Sequence, residues 1–286
     1  MGSMNALVPT TLDDAISALR AHPDALIVAG GTDLMVEING GHRRPRMVIA
    51  VNRVAELRSW TYDPVAATVR IGAGVTYAEM MEPPLSELVP ALAEASRTVG
   101  SPQIRNAATL GGNLGTCSPA GDGLPVLSAL EAVVHLVSAA GERSLPVHEF
   151  MVGVKRTARL PDELISAVSV PVLSGWQGYS KVGVRNAMVI ALASACLATD
   201  VTSSSVRLAV GSVGPTILRC EAAEAFASET VDFAAGRASA ATVARFGELA
   251  AAASRPIDDH RASAAYRRHA IGVLASRLLR RAFPHD

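Results

Sequence analysis

Val28-Ala29-Gly30-Gly31-Thr32-Asp33-Leu34 and Thr109-Leu110-Gly111-Gly112-Asn113-Leu114 set two glycine pairs about eighty residues apart, each among small polar residues. Adjacent glycines let the backbone take positive φ and let another group approach where a Cβ would stand. Flanking Thr32, Asp33, Thr109 and Asn113 supply polar side chains, and successive N–H groups in such turns converge on an anion. The second pair runs on into Ser118-Pro119-Ala120-Gly121-Asp122. Two such turns predict two loops closing on one diphosphate, and so a bound nucleotide cofactor. Neither is a P-loop, because the chain has no G-x-x-x-x-G-K-[ST]. Gly72-Ala73-Gly74-Val75-Thr76-Tyr77 follows a predicted strand, but Tyr77 stands where a dinucleotide fingerprint needs its third glycine.

Working outward from the first pair, Thr11 caps a predicted helix over 11–21, with apolar residues at 12, 15, 16 and 19. Short strands are expected at 25–29, 47–51 and 67–73. A helix is expected to begin at Thr76–Met81, to be interrupted by Pro83-Pro84, and to resume as one long amphipathic helix over 85–99. Beyond the second pair, 124–130 reads as a helix with Pro125 in its first turn. Residues 132–137 and 142–147 read as a hairpin and 163–171 as a strand. The character shifts near Leu173-Ser174-Gly175. Strand candidates at 177–184, 187–200 and 206–213 then lead into an alanine-rich helical stretch up to Arg281. Short strands mixed with helices, without β-α-β regularity, indicate an α+β fold. The expected domains are 4–174 and 175–286.

Bulk composition narrows the function classes. Of 286 residues, 49% are hydrophobic and only 18% charged, which describes a packed globular chain and excludes disorder. Lys+Arg and Asp+Glu are equal at 26 each, so there is no broad footprint for nucleic acid or membrane surface. Cys117, Cys196 and Cys220 are odd in number and far apart, which excludes a disulfide framework and a C-x-x-C metal site. Seven histidines show no H-x-x-x-H pairing, so no metal is expected. No G-x-S-x-G nucleophile elbow is present. Met1-Gly2-Ser3 reads as an expression leader before Met4. With no secretory signal and no 18-residue apolar run, a soluble cytoplasmic protein without membrane insertion is expected. The arginines at the C-terminus alternate with Ile271, Leu274 and Leu278 at helical spacing, which reads as a solvated helix face.

The two glycine segments, with Gln103-Ile104-Arg105-Asn106-Ala107-Ala108 before the second, resemble the FAD-binding medium subunits of molybdenum hydroxylases. These include subunits of the bacterial carbon monoxide dehydrogenase and xanthine dehydrogenase type. The resemblance continues through Ser118–Asp122, Pro161-Asp162-Glu163-Leu164-Ile165 and Tyr179-Ser180-Lys181. It runs on through Gly211-Ser212-Val213-Gly214-Pro215-Thr216 and Asp258-Asp259-His260-Arg261-Ala262-Ser263, in the family's order over nearly the whole chain.

That resemblance implies a two-lobed FAD-binding domain, followed by a C-terminal antiparallel sheet and helical bundle. It implies that Ala29, Gly30, Gly31, Thr32 and Asp33, with Thr109, Leu110, Gly111, Gly112 and Asn113, cradle the FAD diphosphate, and that Val28, Leu34, Thr116 and Ser118 also bind the cofactor. Val99 would lie against the cofactor, and Asp122 would meet its sugar chain. Leu164 and Ile165 would pack on the isoalloxazine, and Lys181 would stand near its pyrimidine end. Two-electron reduction leaves negative charge near N1 and O2 of that ring, where an ammonium stabilises it. From the residues alone, Lys181 reads as an ordinary solvated strand lysine, and only the resemblance gives it a role at the flavin. The implied partners are a molybdopterin-binding large subunit and a small subunit with two [2Fe–2S] clusters, as a dimer of heterotrimers. Where many members carry an Asp after the strand lysine, this chain has Arg185-Asn186-Ala187-Met188-Val189. Two other readings remain open: a self-contained FAD-dependent oxidoreductase with its own substrate, which needs an acid or base over the flavin, and a binding protein without flavin.

Overall fold

A small parallel sheet forms the N-terminal lobe. In the computed structural model, which describes residues 4–284, strand β1 (Asn5–Leu7) leads to helix α1 (Leu12–Ala21), β2 (Leu26–Val28), α2 (Leu34–Asn39) and β3 (Met47–Ala50). The strand order is β1-β3-β2. α1 forms as its sequence predicts: Thr11 Oγ1 accepts the Asp14 N–H at 3.1 Å, and Ala15 and Leu19 are buried on its inner face. Met1-Gly2-Ser3 and His285 lie outside the described residues.

The second lobe holds an antiparallel sheet of five strands. β4 (Trp60–Asp63) and β5 (Thr68–Gly72) come first. The chain then turns helical through α3 (Leu85–Leu88), α4 (Pro90–Thr98), α5 (Pro102–Ala107), α6 (Leu110–Thr116) and α7 (Gly123–Ala129). β6 (Val133–Ser138) and β7 (Gly141–Pro146) form the predicted hairpin. After a one-turn α8 (Val147–Phe150) and a small hairpin of β8 (Met151–Gly153) and β9 (Arg156–Thr157), β10 (Leu164–Pro171) enters the middle of the sheet. Its order is β4-β5-β10-β6-β7.

β11 (Gln177–Val182), β12 (Ala193–Asp200), β13 (Ser205–Gly211) and β14 (Leu218–Arg219) then form an antiparallel meander. Helices α9 (Glu221–Thr230), α10 (Ala240–Ala253) and α11 (Ala264–Ala282) pack on one face of it. β12 is buried on both faces. Ala193, Ala195 and Leu197 meet the helices, while Cys196 and Ala198 join the core of the second lobe. Small side chains on this strand let the two layers approach it closely from both sides. One apolar core therefore runs across the junction near residue 175, joining the two halves.

Four local expectations are corrected. The predicted 85–99 helix is two helices, because Pro90 has no N–H to continue the ladder and Val89 leaves helical backbone. Thr76–Met81 yields only a 3₁₀ turn at Glu79–Met81, closed by reciprocal bonds between Thr76 and Glu79. The strand read from residue 187 begins at Ala193, and the chain before it is a loop held by side-chain cations. The second glycine segment is a helix, α6, rather than an open turn.

Arg267 on α11 anchors the end of that loop, donating to Leu192 O at 2.8 Å and to both Asp259 oxygens at 2.8 Å. The Asp259 carboxyl is held down to about 2, first by the N–H groups of Arg261 and Ala262 and then by Arg267. A carboxyl depressed by folding stabilises the native state above its unfolded value of about 3.9, and that stability is lost as pH falls through the folded value. Asp259→Asn is therefore expected to flatten the dependence of stability on pH between about 4 and 2, measured by denaturant melts across that range. An unchanged slope contradicts this assignment.

Candidate functional site

Gly30 sits against the junction of α5 and α6. A Cβ built on it would fall 1.8 Å from the Ala107 carbonyl oxygen, so only glycine lets the two segments meet. Gly31 follows at φ +69°. Gly111 lies in the first turn of α6 with helical backbone. Its Cβ would fall 2.5 Å from Ala73 Cβ and 2.7 Å from Ala73 O, so close approach rather than positive φ is what demands glycine there. Thr109 caps α6, its Oγ1 accepting the Gly112 N–H at 3.0 Å. Across the junction, Thr116 Oγ1 donates to Asp33 Oδ2 at 3.3 Å.

The segments Val28–Leu34 and Thr109–Thr116 thus face each other although they are far apart in sequence. Leu110 is buried in the core, so at this junction it offers backbone only. Leu164 is likewise buried within the lobe, whereas half-buried Ile165 reaches toward Gly115, its Cδ1 lying 3.8 Å from where a Cβ would be. Among the described residues, the backbone N–H groups of Gly31 and Thr32 find no acceptor. Asn113 Oδ1 and Tyr77 OH are buried without partners, each 3.1 Å from the position a Cβ on Gly123 would occupy. Asn113 also lies against Gly121, which couples the glycine segment to the Ser118–Asp122 turn. Within that turn, Ser118 accepts from Gly121 N through its carbonyl and from Ala120 N through its hydroxyl.

Asp122 and Lys181, given separate roles in the sequence, form one pair here. Lys181 Nζ lies 2.7 Å from Asp122 Oδ2 and also donates to Thr98 O at 2.8 Å and Val189 O at 3.1 Å. The side chains of Lys181 and Asp122 are only 7% and 10% exposed. Burial pushes the Asp122 carboxyl up, against the pull of Lys181 and of the Tyr179 phenol. Tyr179 OH donates to Asp122 Oδ1 at 2.8 Å, and burial with the adjacent carboxylate drives that phenol well above its usual value. Only two of the chain's 26 basic residues are lysines, Lys155 and Lys181, and Lys155 stands half-exposed in an ion pair with Glu37.

Lys181 forms one wall of a cleft of about 570 Å³ between the Arg97–Arg105 stretch and the Lys181–Val189 stretch. Val99 does not line it; its carbonyl accepts from Arg105 Nη1 at 3.0 Å, a guanidinium that lines the cleft and also binds Gly100 O at 3.1 Å. No aspartate, glutamate or histidine lines the cleft. The residues that sequence reasoning left without roles are Tyr179, Tyr77 and Arg105. For Tyr179 a signal existed: it stands two positions before Lys181, on the same face of a strand. Among the described residues, no group of three or more His, Cys, Asp or Glu could hold a metal, and no helix is long and apolar enough to cross a membrane.

Comparison with known proteins gives the family. The sequence profile of the FAD binding domain in molybdopterin dehydrogenase matches residues 2–173, and that of the CO dehydrogenase flavoprotein C-terminal domain matches residues 179–282. The chain is 31% identical to the xanthine dehydrogenase FAD-binding subunit of Escherichia coli O157:H7, over 75% of each chain. It is 30% identical to the glyceraldehyde dehydrogenase medium chain of Sulfolobus acidocaldarius, over 92% of each. Its fold superposes on a chain of carbon monoxide dehydrogenase from Hydrogenophaga pseudoflava with a TM-score of 0.87, at 29% identity over 98% of this chain and 96% of that one. The chain belongs to the FAD-binding family of molybdopterin dehydrogenases and is an FAD-dependent oxidoreductase.

Proposed function

We propose that this chain is the subunit through which electrons leave a multi-subunit molybdenum hydroxylase. It would receive them from [2Fe–2S] clusters of a small partner subunit and pass them to an external acceptor. A molybdopterin-binding large subunit would oxidise the substrate, with the whole assembled as a dimer of heterotrimers in the cytoplasm. The domain limits we propose are 4–174 and 175–286. The observation that carries the reading is the closure of Gly30 on Ala107, with Asp33 bonded to Thr116, which brings two glycine segments to one junction.

The residues present fit FAD. The junction is a cradle that a Cβ would fill, its Gly31 and Thr32 N–H groups lack acceptors, and Asn113 Oδ1 and Tyr77 OH are buried without partners. In this reading Val28–Leu34 and Thr109–Asn113 hold the diphosphate through backbone N–H groups, with Thr116 and Ser118 beside it. Asp122 stands by the sugar chain and Val99 against the cofactor, while Leu164, Ile165 and Lys181 serve the flavin end, Leu164 through its backbone because its side chain lies in the core. When bound, FAD supplies a centre that accepts electrons singly and releases them as a pair. Lys181 then holds a positive charge at the cleft wall where reduction makes the ring negative. No carboxylate or imidazole lines the cleft and its one lysine is taken up in the ion pair with Asp122, so the lining offers no free general base to an organic substrate.

The test is reconstitution. The purified chain should take up one FAD and oxidise no organic substrate alone, and should turn over when co-expressed with its molybdenum and iron–sulfur partners. Substrate turnover by the isolated chain, or failure to bind FAD, contradicts this reading.

A further inference from the structure

We propose that Tyr179 is a positioning residue, whose phenol fixes the Asp122 carboxylate so that its second oxygen holds the Lys181 ammonium at the cleft wall. The consequence for the flavin rests on the function proposed above; the geometry does not. β11 places Tyr179 and Lys181 on one face, two residues apart, and both reach the same carboxylate. Asp122 Oδ1 takes the phenol at 2.8 Å and Oδ2 takes the ammonium at 2.7 Å, so neither oxygen is free to turn toward the other partner. The phenol is itself held in place. The Tyr179 backbone N–H, on the outer edge of β11, donates to Glu94 Oε2 at 2.7 Å. Glu94 Oε1 is bound at 2.6 Å by Arg281, whose guanidinium lies 5.0 Å from the Trp176 ring centre. Contacts from α4 and α11 therefore fix the strand edge that carries both residues.

Removal of the hydroxyl leaves a buried carboxylate oxygen without a donor. The groups facing Asp122 are Lys181, Tyr179 and, at longer range, Tyr77. With Tyr179 gone, nothing but Lys181 itself orients the carboxylate, whose freed oxygen can turn toward the ammonium. Lys181 then keeps Thr98 O, Val189 O and a carboxylate that no longer presents one fixed oxygen. An ammonium on a carboxylate free to rotate, with one of its carbonyls in the 183–192 loop, is no longer fixed at one place on the cleft wall.

Two readouts on the full-length chain test this, comparing wild type with Tyr179→Phe. The first is the rate of Lys181 acetylation by an amine-reactive reagent without FAD, followed by mass spectrometry, with exposed Lys155 as the internal standard. It is expected to rise at least several-fold in Tyr179→Phe, while Lys155 is unchanged. The second is the flavin midpoint potential of the FAD-loaded chain. It is expected to fall by the equivalent of about tenfold weaker holding of the reduced form, about 30 mV for a two-electron couple. Unchanged Lys181 labelling overturns the proposal, as does an unchanged potential in a variant that retains FAD. Loss of fold in Tyr179→Phe overturns it too, since the hydroxyl would then serve stability alone. A wild-type chain that takes up no FAD refutes the proposed function and leaves the labelling result to decide the positioning role.

Discussion

Gly30→Ala is expected to lose most FAD affinity and to be the most damaging single-methyl change at the candidate site. The added Cβ would stand 1.8 Å from Ala107 O and 2.4 Å from Ala107 C, both backbone atoms. No side-chain rotation relieves that clash, so α5 and α6 must shift away from the first segment. Overpacking of this kind costs about 1–3 kcal/mol. If the same separation is felt at the cofactor, about 2.7 kcal/mol corresponds to roughly a hundredfold weaker binding. Gly112→Ala is the matched control, because its Cβ would meet only Thr109 Oγ1, at 3.0 Å. Fluorescence titration with FAD measures both variants. Equal affinity in Gly30→Ala and wild type would refute the idea that the closure of these segments makes the site.

The second large effect is expected from Lys181→Met. The methionine matches the length of the lysine stem, but Asp122 is left buried with no cation. Breaking a buried pair from one side costs about 3–5 kcal/mol, because the remaining charge stays desolvated. On a chain of this size that is a drop in melting temperature on the order of 10 °C. Asp122→Asn in the same chain removes the orphaned charge and is expected to recover a large part of the loss. Calorimetry of the single and double variants separates the cases. If Lys181→Met melts with the wild type, the pair contributes no net stability and this expectation fails.

What could be read in the sequence was whatever depends on near neighbours. Thr11 with apolar residues at 12, 15, 16 and 19 specifies α1 without help from the rest of the chain. The β6–β7 hairpin was legible from the apolar run at 132–137 and the short segment that follows it across a turn ending at Gly141. α6 was not, because its three glycines lower helix propensity by about 1 kcal/mol each, and nothing local shows that Gly111 must press on Ala73. The break at Val89-Pro90 was available from the proline and was outweighed by the apolar spacing on either side. At the candidate site, the two glycine segments were visible as a pair because both carry the same small polar flanks. The pairing of Asp122 with Lys181 and Tyr179 was hidden, since those groups lie 59 and 57 residues apart and only the packing of β11 on α4, and of the neighbouring strands on α7, unites them.

Hydrogen–deuterium exchange of the full-length chain, with and without FAD, tests the central claim most directly. The structure predicts that peptides covering 28–34 and 109–118 gain protection together, at the same FAD concentration, because both face one junction. Protection of one segment without the other, or of neither in a chain that retains FAD, would contradict it.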